Sequence, residues 1–235
     1  MSLESLKPPP ENRLALLGEL AAGLAHEIKN PLSTIRMNLE MLREDWKGAS
    51  GPREVKALRK FDLLEREVRR LEEIVQSFLR FSRGLDLKLV RASLNPVVAE
   101  VLELALPELE KKSIRLRSAL EPALPDALFD PNQVKQALVN VIVNAEQAME
   151  RGGELIVRTK TLEGDAAIDV IDTGCGIAPE SLPRVFQPYY STKKGGTGLG
   201  LPMTRRIVEE HGGRITIASE PGRGTQVTLR FPPAG

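Results

Sequence analysis

Residues 22–35 read AGLAHEIKNPLSTI and sit within an apolar stripe of helical spacing: Leu17, Leu20, Leu24, Ile28, Leu32, Ile35, Leu39 and Leu42. Steps of three and four keep these side chains on one face. The pattern predicts a helix from about Glu11 to about Trp46, behind a leader (residues 1–10) that ends in Pro8-Pro9-Pro10. Pro31 removes a backbone hydrogen bond inside this helix, which predicts a bend just after His26. His26 is two residues from both Leu24 and Ile28, so at ~100° per residue it points away from the stripe. Glu27 adjoins it and Asn30 follows one turn later. A solvent-facing imidazole with a carboxylate and an amide beside it reads as a nucleophile with its helpers.

Downstream, KGASGP (residues 47–52) reads as a turn, and a second helix follows to about Ser82. Its apolar positions Ala57, Phe61, Leu64, Val68, Leu71, Val75 and Phe78 alternate steps of four and three, a heptad seam. Two helices joined by a short turn make an antiparallel hairpin over residues 11–83. One hairpin cannot bury its whole seam, whereas two copies packed as a four-helix bundle can, so a homodimer is expected.

From about Gly84 the pattern changes to short alternating segments that read as strands: LDLKLVRA, SIRLRSAL, GELIVRTKT, AAIDVIDTG, GRITIASE and TQVTLRFP. Helical patterns lie between them at Asn95–Lys111, Pro131–Met149 and Leu199–Glu210. The expected fold class is therefore multidomain. A helical hairpin is followed, after a linker at residues 84–93, by an α/β sandwich over 94–235 with helices on one face of a mixed sheet. The stretch Pro179–Gly198 is rich in Pro, Gly, Ser and Thr and too long for an ordinary connection, which suggests a functional lid.

A net charge of +1 gives no argument for nucleic acid or for a membrane surface as partner. With Cys175 alone in the chain, no intrachain disulfide can form. No apolar run approaches the ~20 residues of a membrane span, and no signal peptide is visible. The expected location is cytoplasmic, either free or as the cytoplasmic part of a membrane-bound sensor, with membrane contact only through segments outside this chain.

The second half carries three chemical signals, each with a plainer alternative. Asn140 and Asn144 are four apart on a predicted helix and share a face, suited to Mg²⁺ together with phosphate and water, or are simply exposed amides. Asp172 ends a strand in DTGCGI, where a carboxylate can accept from an exocyclic amine while glycines admit a flat ring, or where an Asp-Gly turn suffices. GGTGLG (residues 195–200) opens a helix whose first N–H groups suit phosphate, with Lys193 and Lys194 upstream, although a flexible linker has the same composition.

The order of these segments resembles the histidine protein kinases of two-component systems. LAHEIKNPL resembles their phospho-acceptor box and NVIVNAEQAM their asparagine box. DTGCGI and GTGLGL resemble the two glycine boxes, VFQPYYSTK the phenylalanine box, and GRGTQVTLRFP the family's ending. The wording is similar to the nitrogen-regulator branch. The resemblance implies a Bergerat-type ATP-binding domain, the cofactors ATP and Mg²⁺, and an aspartate of a response regulator receiver domain as phosphate acceptor. It implies that His26 is phosphorylated, that Glu27 orients the ring or takes its proton, and that Asn30 places a water to dephosphorylate the regulator. Asn144 matches the Mg²⁺ ligand, with Asn140 contributing at the phosphates or metal. Asp172 matches the adenine reader, with Gly174 and Gly176 against the ring and Thr225 near the same edge. Gly196, Thr197, Gly198, Leu199 and Gly200 match the phosphate loop. Lys193 is a further phosphate contact, and Phe186 anchors the lid.

Chaperone, mismatch-repair and topoisomerase ATPases share the implied fold but carry a water-activating glutamate at the position of Asn140. An amide is no general base, so this site is expected to hold ATP until His26 attacks it. Two rival readings are a phosphatase that uses ATP only as a conformational ligand, and a nucleotide-binding dimerisation scaffold. Among the remaining residues, His211 reads as a cationic helix-end residue and Cys175 as a small packed one. Trp46 and Phe61 read as bundle-end packing, and Arg66, Arg69 and Arg70 as a solvated basic face.

Overall fold

A computed structural model describes residues 28, 30–44, 46, 51–82, 86–193 and 197–234. The leader, His26, Glu27, the bend expected beside them, the turn at 47–50 and Gly196 lie outside the described residues. The chain divides into two compact units, Met1–Gly84 and Leu85–Gly235.

The first unit contains helix α1 (residues 30–44) and helix α2 (Pro52–Ser82). Their contact is a ladder in which steps of three, four and three along α1 are matched by steps of four, three and four back along α2. Arg36 Nε lies 3.6 Å from Glu72 Oε1. Leu39 and Val68 are buried together one turn further on. Arg43 Nη1 donates to Glu65 Oε2 at 3.0 Å, and Trp46 meets Phe61 edge-on at 6.2 Å. Ionic and apolar rungs thus alternate, and the Trp46–Phe61 contact is the packing expected at that end. One copy of the hairpin covers only part of the predicted seam. Phe61 and Val68 face α1, with Glu65 between them and Glu72 one turn beyond Val68, while Leu64 and Leu71 are 49% and 48% exposed. A carboxylate can occupy an inward position because α1 presents an arginine opposite it. Glu65 is bound by both Arg43 and Arg69, so Arg69 is not merely part of a solvated basic face.

In the second unit, helices α3 (Asn95–Lys111), α4 (Pro131–Ala148) and α5 (Gly200–Glu210) cover one face of a five-stranded sheet. The strands are β2 (Ile114–Ala119), β4 (Gly153–Leu162), β5 (Asp165–Asp172), β6 (Arg214–Glu220) and β7 (Gly224–Phe231), in the order β2-β4-β5-β7-β6. The β2–β4 pair is parallel and the others antiparallel, so the mixed sheet of the expected sandwich is present. Alternation sends Leu155, Val157, Ile168, Val170, Val227, Leu229 and Phe231 toward the helices. On the opposite face the buried Asp169 accepts from Arg158, Lys160 and Thr228. Burial alone would raise its pKa, but these three partners hold the carboxyl below its usual range.

A two-stranded sheet pairs β1 (Val90–Ala92) with β3 (Ala127–Phe129). The segment expected to be a linker is therefore partly structure: Val90–Ala92 is a paired strand, and Lys88 N–H donates to Asp130 Oδ2 at 2.9 Å. The strand expected over LDLKLVRA is shorter than its alternation suggests, because β3 offers only three partners.

Candidate functional site

The site forms where the C-terminal half of α4, the end of β5 and the start of α5 converge. Helix α4 begins cleanly because Asp130 caps it, its Oδ1 accepting from the backbone of Asn132 and Gln133, with Pro131 pre-set in the first turn. Asp130 was not singled out from the sequence, although Asp-Pro before an apolar helical run is its signal. From this start, Asn140 and Asn144 fall on the flank of α4 that meets α5. A methyl group on Gly200 would lie 3.9 Å from both asparagine side chains.

Asn140 is bonded at both atoms of its amide. Its carbonyl oxygen, the atom that could ligate a cation, accepts from Gln136 Nε2 at 3.1 Å. Its amide nitrogen donates to the Gly200 carbonyl at 3.3 Å. It holds the start of α5 against α4. Thr204 reinforces the joint, its hydroxyl donating to the Gly200 carbonyl at 3.0 Å. The side chain of Asn144 is half-buried and takes no hydrogen-bond partner among the described residues, which leaves its oxygen available to a ligand.

Asp172 closes β5 and is 6% exposed. Its Oδ1 accepts from Gly174 N–H at 2.8 Å, and it faces Thr225 across the β5–β7 ladder. Burial pushes its pKa up, opposed by the Gly174 and Thr225 N–H groups and the charge of Lys193. Thr225 shares a hydroxyl contact of 2.9 Å with Ser219, whose Oγ also receives Ile177 N–H at 2.8 Å. Beyond Asp172 the chain turns under tight constraint. Gly176 has φ +69° and a Cβ there would lie 2.1 Å from the Glu220 carbonyl, so no other residue fits without rearrangement. Cys175, expected to be packed, is exposed, because the turn directs it outward between two glycines.

The segment after β5 folds back through a short 3₁₀ turn (Leu182–Arg184). Tyr190 donates to Ser181 Oγ at 2.9 Å with the Arg184 guanidinium over its ring, and Phe186 lies under Arg205. The phosphate-loop candidates connect to this segment through backbone. Tyr189 N–H donates to the Gly198 carbonyl at 3.1 Å. Gly198 has φ +68°, and a Cβ would meet the Tyr189 backbone at 2.6 Å. Leu199 is buried, with its N–H on Thr197 Oγ1 at 3.4 Å. Lys193 contacts α4. Its ammonium donates to the Asn144 carbonyl at 2.8 Å and to Gln147 Oε1 at 3.3 Å. Burial lowers its pKa, while Cys175 and Asp172 oppose the shift.

His211 ends α5, as expected, but not as a cation. Its Nε2 accepts Asp130 N–H at 2.9 Å, which requires a lone pair, so the proton is on Nδ1 and faces the Ile207 carbonyl at 2.6 Å. Asn30 is exposed in α1, its carbonyl receiving the Thr34 hydroxyl at 3.1 Å.

Two asparagines, a strand-end carboxylate and a glycine loop that opens a helix thus lie close together. Comparison with known proteins identifies the family. Residues 129–235 match the family described as histidine kinase-, DNA gyrase B-, and HSP90-like ATPase, and residues 16–86 match the His Kinase A (phospho-acceptor) domain. The chain is 38% identical over 226 residues to the sensor histidine kinase ZraS of Klebsiella oxytoca, covering 96% of this chain and 48% of that protein. It is similar to full-length ShkA in complex with AMPPNP (TM-score 0.73, 26% identity, 91% of this chain and 45% of that one). It is also similar to the histidine kinase ThkA in complex with the response regulator TrrA (TM-score 0.68, 28% identity, 95% of this chain and 64% of that one). The chain spans about half the length of the curated relatives such as ZraS. No helix among the described residues is long and apolar enough to cross a membrane. With its phospho-acceptor hairpin and ATPase-type domain, the chain belongs to the two-component sensor histidine kinases.

Proposed function

We propose that this chain autophosphorylates His26 from ATP and passes the phosphoryl group to an aspartate of a response regulator receiver domain. The observation that carries the reading is the convergence of Asn140, Asn144 and Gly200 at the N-terminus of α5. A helix start with glycine approach favours phosphate, and an uncommitted amide oxygen beside it suits a hard cation. Asp172 supplies the acceptor for an adenine amine. Its buried carboxylate is oriented by the N–H of Gly174 on Oδ1.

Mg²⁺ fits the donor set. Among the described residues no group of three or more His, Cys, Asp or Glu side chains could hold a metal ion, so the cation would rest on Asn144, phosphate oxygens and water. When bound, it supplies charge neutralisation at the transferring phosphoryl group. The chain itself supplies orientation. Asn140 fixes the start of α5, and the helix N-terminus faces the phosphates. No carboxylate stands at position 140 to activate water. The phosphoryl acceptor is then the neutral imidazole of His26. Its ring nitrogen forms the bond to the γ-phosphorus as the bond to the ADP oxygen breaks, and Glu27 orients the ring or takes its proton.

The hairpin is the dimer element, since the apolar side chains of Ile35, Met41, Leu64 and Leu71 remain exposed on one copy. Asn30 would hold a water for dephosphorylating the regulator, a role its exposure on α1 supports. The reaction is assigned to the cytoplasm, where ATP and a free thiol such as Cys175 are both stable. ThkA, in complex with a response regulator, supports that class of partner.

The test is nucleotide titration with and without Mg²⁺. Wild type should bind ATP, Asn144→Ala should lose the Mg²⁺-dependent part of the affinity, and Asp172→Ala should discriminate poorly between ATP and GTP. Binding unchanged in both variants would overturn the site.

A further inference from the structure

Helices α4 and α5 run antiparallel and are fastened at both ends. At the site end, Asn140 donates to the Gly200 carbonyl at 3.3 Å. At the far end, the His211 ring is buried and edge-on to Phe231 at 5.9 Å. There it bridges the two helices. Nδ1–H donates to Ile207 of α5 at 2.6 Å, and Nε2 receives the N–H of Asp130, the residue that caps α4, at 2.9 Å. Asp130 Oδ2 also receives the Lys88 N–H, so the segment entering this unit is fastened at the same point.

The geometry points to His211 as a positioning residue for nucleotide, acting through the register of α5 against α4. This rests on the reading of the α5 start as a phosphate site. Helix α5 has 11 residues, about 16 Å at 1.5 Å per residue, too short to bend appreciably. Sliding or tilting α5 at its C-terminal end therefore moves the Gly198–Gly200 backbone relative to Asn144. The contact is directional: the Asp130 N–H needs an acceptor at the Nε2 position, and no apolar residue of similar volume supplies one. Without it, a buried N–H at the first turn of α4 is unsatisfied unless the helix pair shifts.

The test compares His211→Asn with His211→Gln in the whole chain. An asparagine amide reproduces the Nδ1–H donor and lacks the acceptor, whereas a glutamine oxygen reaches the Nε2 position. The Asn variant should raise both the ATP analogue Kd and the KM for ATP by about fivefold or more, the usual scale of coupling between sites, with kcat little changed. The Gln variant should restore affinity to near wild type even if its melting temperature is lowered as much as that of the Asn variant. Equal affinities in the two variants, or affinity that tracks melting temperature alone, would overturn the role. If the Asn variant does not fold, wild type decides. By reciprocity, nucleotide should slow hydrogen exchange of the Asp130 amide more than that of core amides in β4 and β5. Exchange slowed no more than the core would sink the inference. A wild type that binds no nucleotide would instead sink the proposed function.

Discussion

Asn140 Nδ2 donates to the carbonyl of Gly200 at 3.3 Å, which joins the middle of α4 to the first residue of α5. The position that bears a water-activating glutamate in related ATPases here holds the loop in place. Asn140→Asp keeps the size but sets a carboxylate against that carbonyl. Removing one such bond and adding repulsion should cost ~1–2 kcal/mol of nucleotide binding, roughly a tenfold loss. Calorimetric titration checks this, and an unchanged Kd would show that Gly200 is held by Thr204 alone.

Asp172 links stability to pH in the opposite direction from most carboxylates. Burial raises its pKa, with the Gly174 and Thr225 N–H groups and Lys193 opposing. A raised folded-state pKa disfavours the charged form, so the cost to folding is present above the folded value and vanishes as pH falls below the unfolded one. Without nucleotide, Asp172→Asn should melt above wild type at pH 7, and the gap should close below about pH 4. The same variant should lose ATP affinity by ~10- to 100-fold, the scale of a hydrogen bond to a charged group. A variant that melts lower at pH 7 would contradict the assignment.

Glu65 behaves conventionally. Its hydrogen bond to Arg69 lowers its pKa, opposed by burial and assisted by Arg43 and Arg36. A depressed folded value contributes stability that is present above the unfolded pKa and lost as pH falls through the folded one. Hairpin melting, followed by circular dichroism, should drop on acidification below about pH 4.5. Glu65→Gln should flatten that part of the curve. Arg43→Glu combined with Glu65→Arg should recover more stability than either single change, because it re-forms the rung.

Gly176→Ala places a Cβ 2.1 Å from the Glu220 carbonyl at φ +69°. Strain of this kind costs ~1–3 kcal/mol before the clash is counted. The ATPase-type unit should melt several degrees lower, and Gly164→Ala, which meets nothing within 4 Å, serves as the control for positive φ alone.

Leu64 and Leu71 are half-exposed on one copy of the hairpin. Leu64→Glu with Leu71→Glu should convert a dimer to a monomer in sedimentation velocity while leaving the Arg43–Glu65 rung and the helicity largely intact. A persistent dimer would place the interface elsewhere.

Much of this was legible in the sequence where local physics decides. Helix α3 spans Asn95–Lys111 as predicted, and α4 and α5 differ from expectation by one residue each. Apolar period, Asp-Pro and Gly-rich boundaries are local signals. Strand β3 was missed because a strand of three apolar residues, Ala127–Phe129, cannot display an alternation. The inward Glu65 and Glu72 could not be read because a carboxylate is buried only when its arginine stands opposite, and that partner lies on another helix. The hydrogen bonds of Asn140 and His211 depend on partners 60 and 81 residues away, beyond any spacing rule. Asp172 was readable because strand end, carboxylate and glycines are contiguous.

The most direct measurement is incubation with γ-³²P-ATP and Mg²⁺, followed by acid and alkali treatment of the labelled chain. The account predicts label that is acid-labile and alkali-stable, absent in His26→Gln, while that variant still folds and binds ATP. Label that persists in His26→Gln, or no label in a wild type that binds Mg²⁺-ATP, would contradict it.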